Sequence, residues 1–363
     1  MVYLDANASE PLRPEARHAM LAALATTGNP SSVHAAGRAA RKLLEDAREM
    51  LAAKFGARPE DLVFTSGGTE ANALALRALG ADRRVVVNAT EHDAIRAAVP
   101  NALELPVDRN GISDLETLQD WLSDGRPSLV CLMLANNETG TIQPVSLAAA
   151  LCRRFGARLH VDAVQAAGRM EVKLAALGAH SLAISSHKLG GPLGAGALLL
   201  DPEISTIAPL IAGGGQERGR RGGTPALPAL AGFAAAGGAA HPDLGALRDA
   251  MEAAAVATGA VACSAGAPRL HNTTCLALPG VRADAQVIAL DLEGIAVSAG
   301  AACSSGKVTA SHVLTAMGLG SLAGQAIRVS LPWNATEADV NAFAAAYARM
   351  ADRLRVALAP RAA

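Results

Sequence analysis

Short, almost unbroken apolar runs at 62–65, 84–88, 128–135, 158–162, 181–185 and 195–200 alternate with patterns at helical spacing, which leaves few folds open. A strand that is apolar at every position has both faces covered, as in a parallel or mixed sheet packed between helices. The stretches 68–79, 92–99, 113–124 and 144–156 predict covering helices, with Ser113 and Ser146 as capping residues. Past about residue 240 the rhythm changes. An Ala-rich helix over 242–258 precedes apolar runs near 273–279 and 325–331 and helices near 283–293, 309–317 and 336–357. The expectation is an α/β chain with a large unit over 14–240 and a smaller α+β unit formed by 1–13 and 241–363.

With 363 residues and 51% hydrophobic content, the chain can bury one large core and a second, smaller one. Its 32 basic and 33 acidic residues are well mixed and aromatics are scarce at 2%, so neither nucleic acid nor an anionic membrane is an expected partner. Met1-Val2-Tyr3-Leu4-Asp5 lacks the basic and apolar regions of a signal peptide. The Ala/Gly-rich segment 226–240 is small-residue and Pro-broken, so no bilayer span is expected and the chain reads as cytoplasmic. Five cysteines lie scattered without C-x-x-C or H-x-x-x-H spacing, which predicts neither a disulfide framework nor a metal site. Cys131, Cys152 and Cys275 read as small buried hydrophobes and Cys263 is uninformative. Cys303 differs, because it lies among tiny residues in Ser298-Ala299-Gly300-Ala301-Ala302-Cys303-Ser304-Ser305-Gly306.

Several polar motifs fall at strand ends, where open α/β sheets place ligands. Thr65-Ser66-Gly67-Gly68-Thr69-Glu70 is a strand end, a glycine turn and a helix start, a form that cradles phosphate and also serves as an ordinary turn. Thr90-Glu91-His92 offers a histidine that could equally cap a helix, and Asn136-Asn137-Glu138-Thr139-Gly140 could be a plain turn. Two further ends carry Asp162 and Lys188. An amine able to form a Schiff base and a carboxylate able to keep a pyridinium protonated are what pyridoxal phosphate (PLP) asks of a protein.

In this order the motifs resemble the cysteine desulfurases of NifS/IscS type, in the class V aminotransferase branch of fold-type I PLP enzymes. The likeness runs from Tyr3 to the 330s. It is carried by Tyr3-Leu4-Asp5, Gly28-Asn29-Pro30-Ser31-Ser32-Val33-His34, Gly37-Arg38, the Thr65, Thr90 and Asn136 motifs, His160-Val161-Asp162, Ser186-His187-Lys188, the 213–224 glycine-rich loop and the Cys303 segment. The resemblance implies a mostly parallel seven-stranded sheet between helices. It also implies that Lys188 holds PLP and moves the substrate's α-proton, that Asp162 pairs with the pyridinium nitrogen, and that His92 stacks on the ring and joins proton transfers. Gln165 and Asn137 would bond near the phenolic oxygen, and Gly68, Thr69, Ser185 and His187 would hold the phosphate. Thr224 would reach the phosphate of a partner subunit, implying a homodimer with shared sites. Arg328 would clamp the carboxylate of the substrate, L-cysteine.

The same resemblance makes Cys303 the residue that takes sulfur as a persulfide, for delivery to an acceptor protein such as an iron–sulfur scaffold. The chain departs from the family pattern at Ser9-Glu10, Ser186 and Pro332-Trp333. Other readings are another class V enzyme, such as a selenocysteine lyase or an aminotransferase, and a non-catalytic partner in sulfur transfer.

Overall fold

The computed structural model describes residues 1–204, 206–300 and 310–358. In chain order its strands are β1 (Val2–Tyr3), β2 (Leu62–Thr65), β3 (Arg84–Asn88), β4 (Leu103–Leu105), β5 (Ser128–Met133), β6 (Arg158–Asp162), β7 (Ser181–Ser185) and β8 (Gly196–Leu200). There follow β9 (Val261–Cys263), β10 (Thr273–Ala277), β11 (Ile295–Ala296), β12 (Ser298–Ala299) and β13 (Ala326–Ser330). Seven of them form one sheet in the order β2-β8-β7-β6-β5-β3-β4, with β8 antiparallel to both neighbours and the other pairs parallel.

The continuous apolar runs have a simple cause. Successive side chains along a strand point to opposite faces, so a strand covered on both sides is apolar at odd and even positions alike. Leu62 and Phe64, Val130 and Leu132, and Leu182 and Ile184 pack into one core. Val63, Leu129, Cys131 and Ala183 pack into the other. On the first face lies the long helix Ala35–Phe55, which His34 begins by accepting from Gly37 N–H and Gly56 ends in the left-handed region at φ 69°.

A second, four-stranded sheet in the order β12-β13-β10-β9 is antiparallel throughout. Its core includes Leu276, Ile327, Val329 and Met251, with Phe343 and Tyr347 from helix Glu337–Leu358. The N-terminus joins this part. β1 pairs with β11, Leu4 enters the core and Asp5 bridges to Ser330.

Some sequence expectations need correction. The stretch 92–99 holds only one helical turn, Asp93–Arg96. Ser113 is not a cap: Asp114 caps Leu115–Leu122 by accepting from Glu116 and Thr117 N–H, and the Ser113 hydroxyl donates to Gln143. Ser146 lies inside Val145–Arg154, preceded by Pro144. Segment 226–240 is not broken by its proline, because Pro228 falls in the first turn of helix Leu227–Gly238, where its missing N–H costs nothing. Cys131, Cys152 and Cys275 are buried, as expected, and Cys263 is buried opposite Cys275 across the β9–β10 ladder. Among the described residues no helix is long and apolar enough to cross a membrane.

Candidate active site

The strands β3, β5, β6 and β7 are parallel, so their carboxyl ends open on one edge of the sheet. β2 runs the same way, being antiparallel to the antiparallel β8. A cavity of about 360 Å³ lies at this edge. It takes Gly68 and Thr69 from the helix after β2, His92 after β3, and Asn137 after β5. Asp162 ends β6 and Gln165 follows it; Ser185 ends β7, with His187 and Lys188 just beyond. Arg328 enters from β13 of the second sheet. Lys188 and Asp162, the pair on which the sequence argument turned, thus line one cavity.

Asp162 is buried and accepts from Val164 N–H at 2.9 Å and from Asn72 Nδ2 at 2.7 Å. Burial pushes its carboxyl above the ordinary value, opposed by the Val164 bond, nearby His92, the Asn72 amide and Lys188. Behind Asn72 stands His160, fully buried and with its pKa lowered to about 3 by desolvation. The neutral imidazole donates from Nε2 to Asn72 Oδ1 at 2.9 Å, since that oxygen can only accept, and its Nδ1 takes the Ser181 hydroxyl at 2.8 Å. This chain fixes the Asn72 amide with its NH2 toward Asp162. A buried carboxylate held ready in this way suits a cationic ring nitrogen.

Lys188 Nζ donates to the carbonyls of Asn7 at 2.5 Å and Ala8 at 2.9 Å. Asn7 also spans the site, donating from Nδ2 to Asn137 O at 3.1 Å and accepting at its carbonyl from Gln165 Nε2 at 3.0 Å. Asn7 and Asn72 are site residues that the sequence reading did not single out. Asn72 lies two residues past the glycine motif Thr65–Glu70, but only contacts across the sheet reveal its task.

Helix Gly68–Leu79 starts with no side-chain cap on its first-turn N–H groups. Beside it the Ser185 hydroxyl is buried and has no partner. A Cβ at Gly68 would come within 3.4 Å of the Ser185 Cβ and 2.7 Å of Val164 Cγ2, so only glycine keeps the turn this close. Unused N–H groups, an orphan hydroxyl and Thr69 make a place for an anion. His187 is neutral here, lowered to about 4 by burial and by Lys188 and Arg169.

His92 both caps and lines: its Nδ1 accepts from Ala94 N–H at 3.1 Å while the ring borders the cavity. Arg328 is buried and pairs with Asp5 at 2.6 Å, and its Nη1 donates to Asn137 O at 3.3 Å. Its buried Nε has no partner, a donor suited to a small carboxylate.

One expected residue that the structure describes is not in the cavity. Thr224 lines a separate cleft with Phe64, Ser66 and Arg221. Its loop is held there by the ion pairs Arg221–Glu70 at 2.8 Å and Arg48–Glu217 at 2.7 Å. Cys303 lies outside the described residues.

Residues 2–343 match the family model for class-V aminotransferases. An IscS-like cysteine desulfurase of Mycobacterium tuberculosis is 38% identical over 94% of each chain. A cysteine desulfurase of Cereibacter sphaeroides is 41% identical over 99% of this chain and 97% of its own. The NifS-like protein of Rickettsia africae superposes with a TM-score of 0.90 at 33% identity, covering 97% of this chain and 99% of its own. SspA, solved in complex with cysteine, gives a TM-score of 0.81 at 27% identity over 92% of this chain and 99% of its own. The chain belongs to the class-V aminotransferase family and, within it, to the cysteine desulfurases of NifS/IscS type.

Proposed function

We propose that the protein is a PLP-dependent cysteine desulfurase, converting L-cysteine to L-alanine and holding the sulfur as a persulfide on Cys303. The observation that carries this reading is the meeting of Lys188, Asp162 and Arg328 in one cavity. The donor set fits the cofactor: an amine for its aldehyde, a buried carboxylate for its ring nitrogen, and helix N–H groups with the orphan Ser185 hydroxyl for its phosphate. When bound, PLP supplies an electron sink for the carbon that bears the substrate's amino group.

Lys188 anchors the cofactor and carries the substrate's α-proton on Nζ. Asp162 pairs with the ring nitrogen, and Gly68, Thr69, Ser185 and His187 hold the phosphate. His92 faces the ring and joins the proton transfers, while Asn137 and Gln165 bond near the phenolic oxygen. Gln165 Nε2, one hydrogen already committed to Asn7 O, keeps a second for this purpose. The Arg328 fork receives the substrate carboxylate. The Cys303 thiolate takes the substrate's sulfur, the carbon–sulfur electron pair stays with carbon, and protonation there gives L-alanine.

A homodimer would let Thr224 reach the partner's phosphate site, with residues 14–240 as the large unit and 1–13 with 241–363 as the small one. The working compartment is the cytoplasm, and the sulfur passes to an acceptor protein, an iron–sulfur scaffold among the candidates.

Purified protein incubated with L-cysteine and a reductant should yield equal alanine and sulfide, with the persulfide mapped to Cys303 by mass spectrometry. Cys303→Ser should abolish sulfide release and leave the cofactor's absorption band in place. Full turnover in that variant refutes the role of Cys303, and a colourless protein that takes up no PLP refutes the enzyme.

A further inference from the structure

We propose that Glu138 is a positioning residue whose carboxylate anchors Ser311 and abuts Gly300, on either side of the stretch carrying Cys303. The inference rests on the desulfurase reading and adds a residue to it. Glu138 is buried, and its Oε2 accepts from the Ser311 hydroxyl at 2.6 Å. At Gly300, a Cβ would lie 2.3 Å from the same Oε2 and 3.5 Å from Ser311 Cβ. The chain therefore leaves this carboxylate at Gly300 and is back on it at Ser311, with Cys303 between.

Both ends are fixed in other ways too. Gly300 follows β12, whose Ser298 stands opposite Arg328 in β13. After Ser311, the His312 Nε2 donates to Glu91 O at 3.0 Å, tying this end to the turn that presents His92. Glu138 itself is set by the Asn136 side chain, whose Oδ1 accepts from Glu138 N–H at 2.9 Å. Its neighbour Asn137 lines the cavity, and the Asn137 carbonyl accepts from Arg328 and Asn7. One turn thus reaches the substrate cavity with one side chain and the origin of the thiol's stretch with the next.

Attack on sulfur demands that the thiol arrive within about 3–3.5 Å and in line, and a misplacement of about 1 Å can cost about a hundredfold in rate. A carboxylate that bonds one end and confines the other narrows the positions open to the thiol. Space at Gly300 is part of the device, because any side chain there meets the carboxylate.

The test compares holoenzyme with Glu138→Ala, Glu138→Gln and Ser311→Ala on two substrates. L-cysteine needs the thiol. β-Chloro-L-alanine loses chloride unaided, so its elimination needs the cofactor site and no thiol. Glu138→Ala should lower kcat for L-cysteine by about tenfold or more, with KM and β-chloro-L-alanine turnover within about twofold of wild type. Ser311→Ala should lose less in the same pattern, and Glu138→Gln, which can still accept from Ser311, should keep most activity. The rate of Cys303 alkylation by iodoacetamide in the substrate-free holoenzyme should shift in Glu138→Ala. Unchanged L-cysteine turnover, or equal losses on both substrates, overturns the role; if Glu138→Ala does not fold, Ser311→Ala decides by the same criteria. Should wild type release no sulfur from L-cysteine, the desulfurase reading fails first. The alkylation rate then decides alone, and no change in either variant overturns the positioning role.

Discussion

Keeping a buried carboxylate ionised is costly, by several kcal/mol before hydrogen bonds offset it. Asp162 meets Val164 and Asn72 for that purpose, and Asn72 is itself oriented by His160. The His160 ring cannot charge where it sits, so its pKa falls from 6.5 to about 3. A depressed folded-state pKa gives stability that is present above 6.5 and lost as pH falls toward about 3, because the unfolded chain takes up the proton first. His160→Gln can still donate to Asn72 but has no proton to bind. Across that window its unfolding free energy should depend less on pH, by up to about 1.4 kcal/mol per pH unit in chemical denaturation. An identical slope in both proteins would mean that His160 is not buried neutral. The residue types at 160 and 162 were legible in the sequence; the order Ser181–His160–Asn72–Asp162 was not, since it crosses three elements.

At the scale of elements, the site depends on how closely the strand ends approach their turns. In β8, a Cβ at Gly196 would lie 2.6 Å from the Gly67 carbonyl carbon and 2.7 Å from its Cα. Backbone cannot step aside as a long side chain does. Gly196→Ala should therefore push β8 from the glycine turn, costing about 1–3 kcal/mol of stability. Cofactor affinity should fall with it, as Gly68 follows the displaced residue; denaturation and PLP titration would measure the two losses. Unaltered values in both would show that the turn has room. Strands and long helices were legible from periodicity. Caps were less so: Asp114 outcompetes Ser113 because its carboxylate serves two N–H groups at once, while Ser113 is drawn to Gln143.

Across the whole molecule, the first ten residues stitch the two sheets together. Tyr3 pairs with β11, Leu4 enters the core of the second sheet, Asn7 reaches Lys188, and Glu10 pairs with buried Arg169 at 3.1 Å. Glu10 also accepts from Trp333 N–H at 2.6 Å, and the Trp333 indole donates to Pro11 O at 3.0 Å. Two departures from the family pattern, Ser9-Glu10 and Pro332-Trp333, are thus halves of one contact. Glu10→Ala would strand the Arg169 charge in the interior. It should lower stability by about 3–5 kcal/mol, read as an earlier denaturation midpoint. A midpoint close to wild type would place Arg169 in contact with water.

Periodicity, glycine turns and the residue types at strand ends determined the α/β class and the chemical groups of the site before any coordinates, because each is a local property that side-chain alternation and backbone sterics impose. Tertiary structure alone decided that Lys188, Asp162 and Arg328 share a cavity, that Asn7 and Asn72 belong with them, and that Gly300 and Ser311 meet on Glu138. Those contacts join positions tens to hundreds of residues apart. Their geometry comes from strand order and packing, which no stretch of sequence carries by itself.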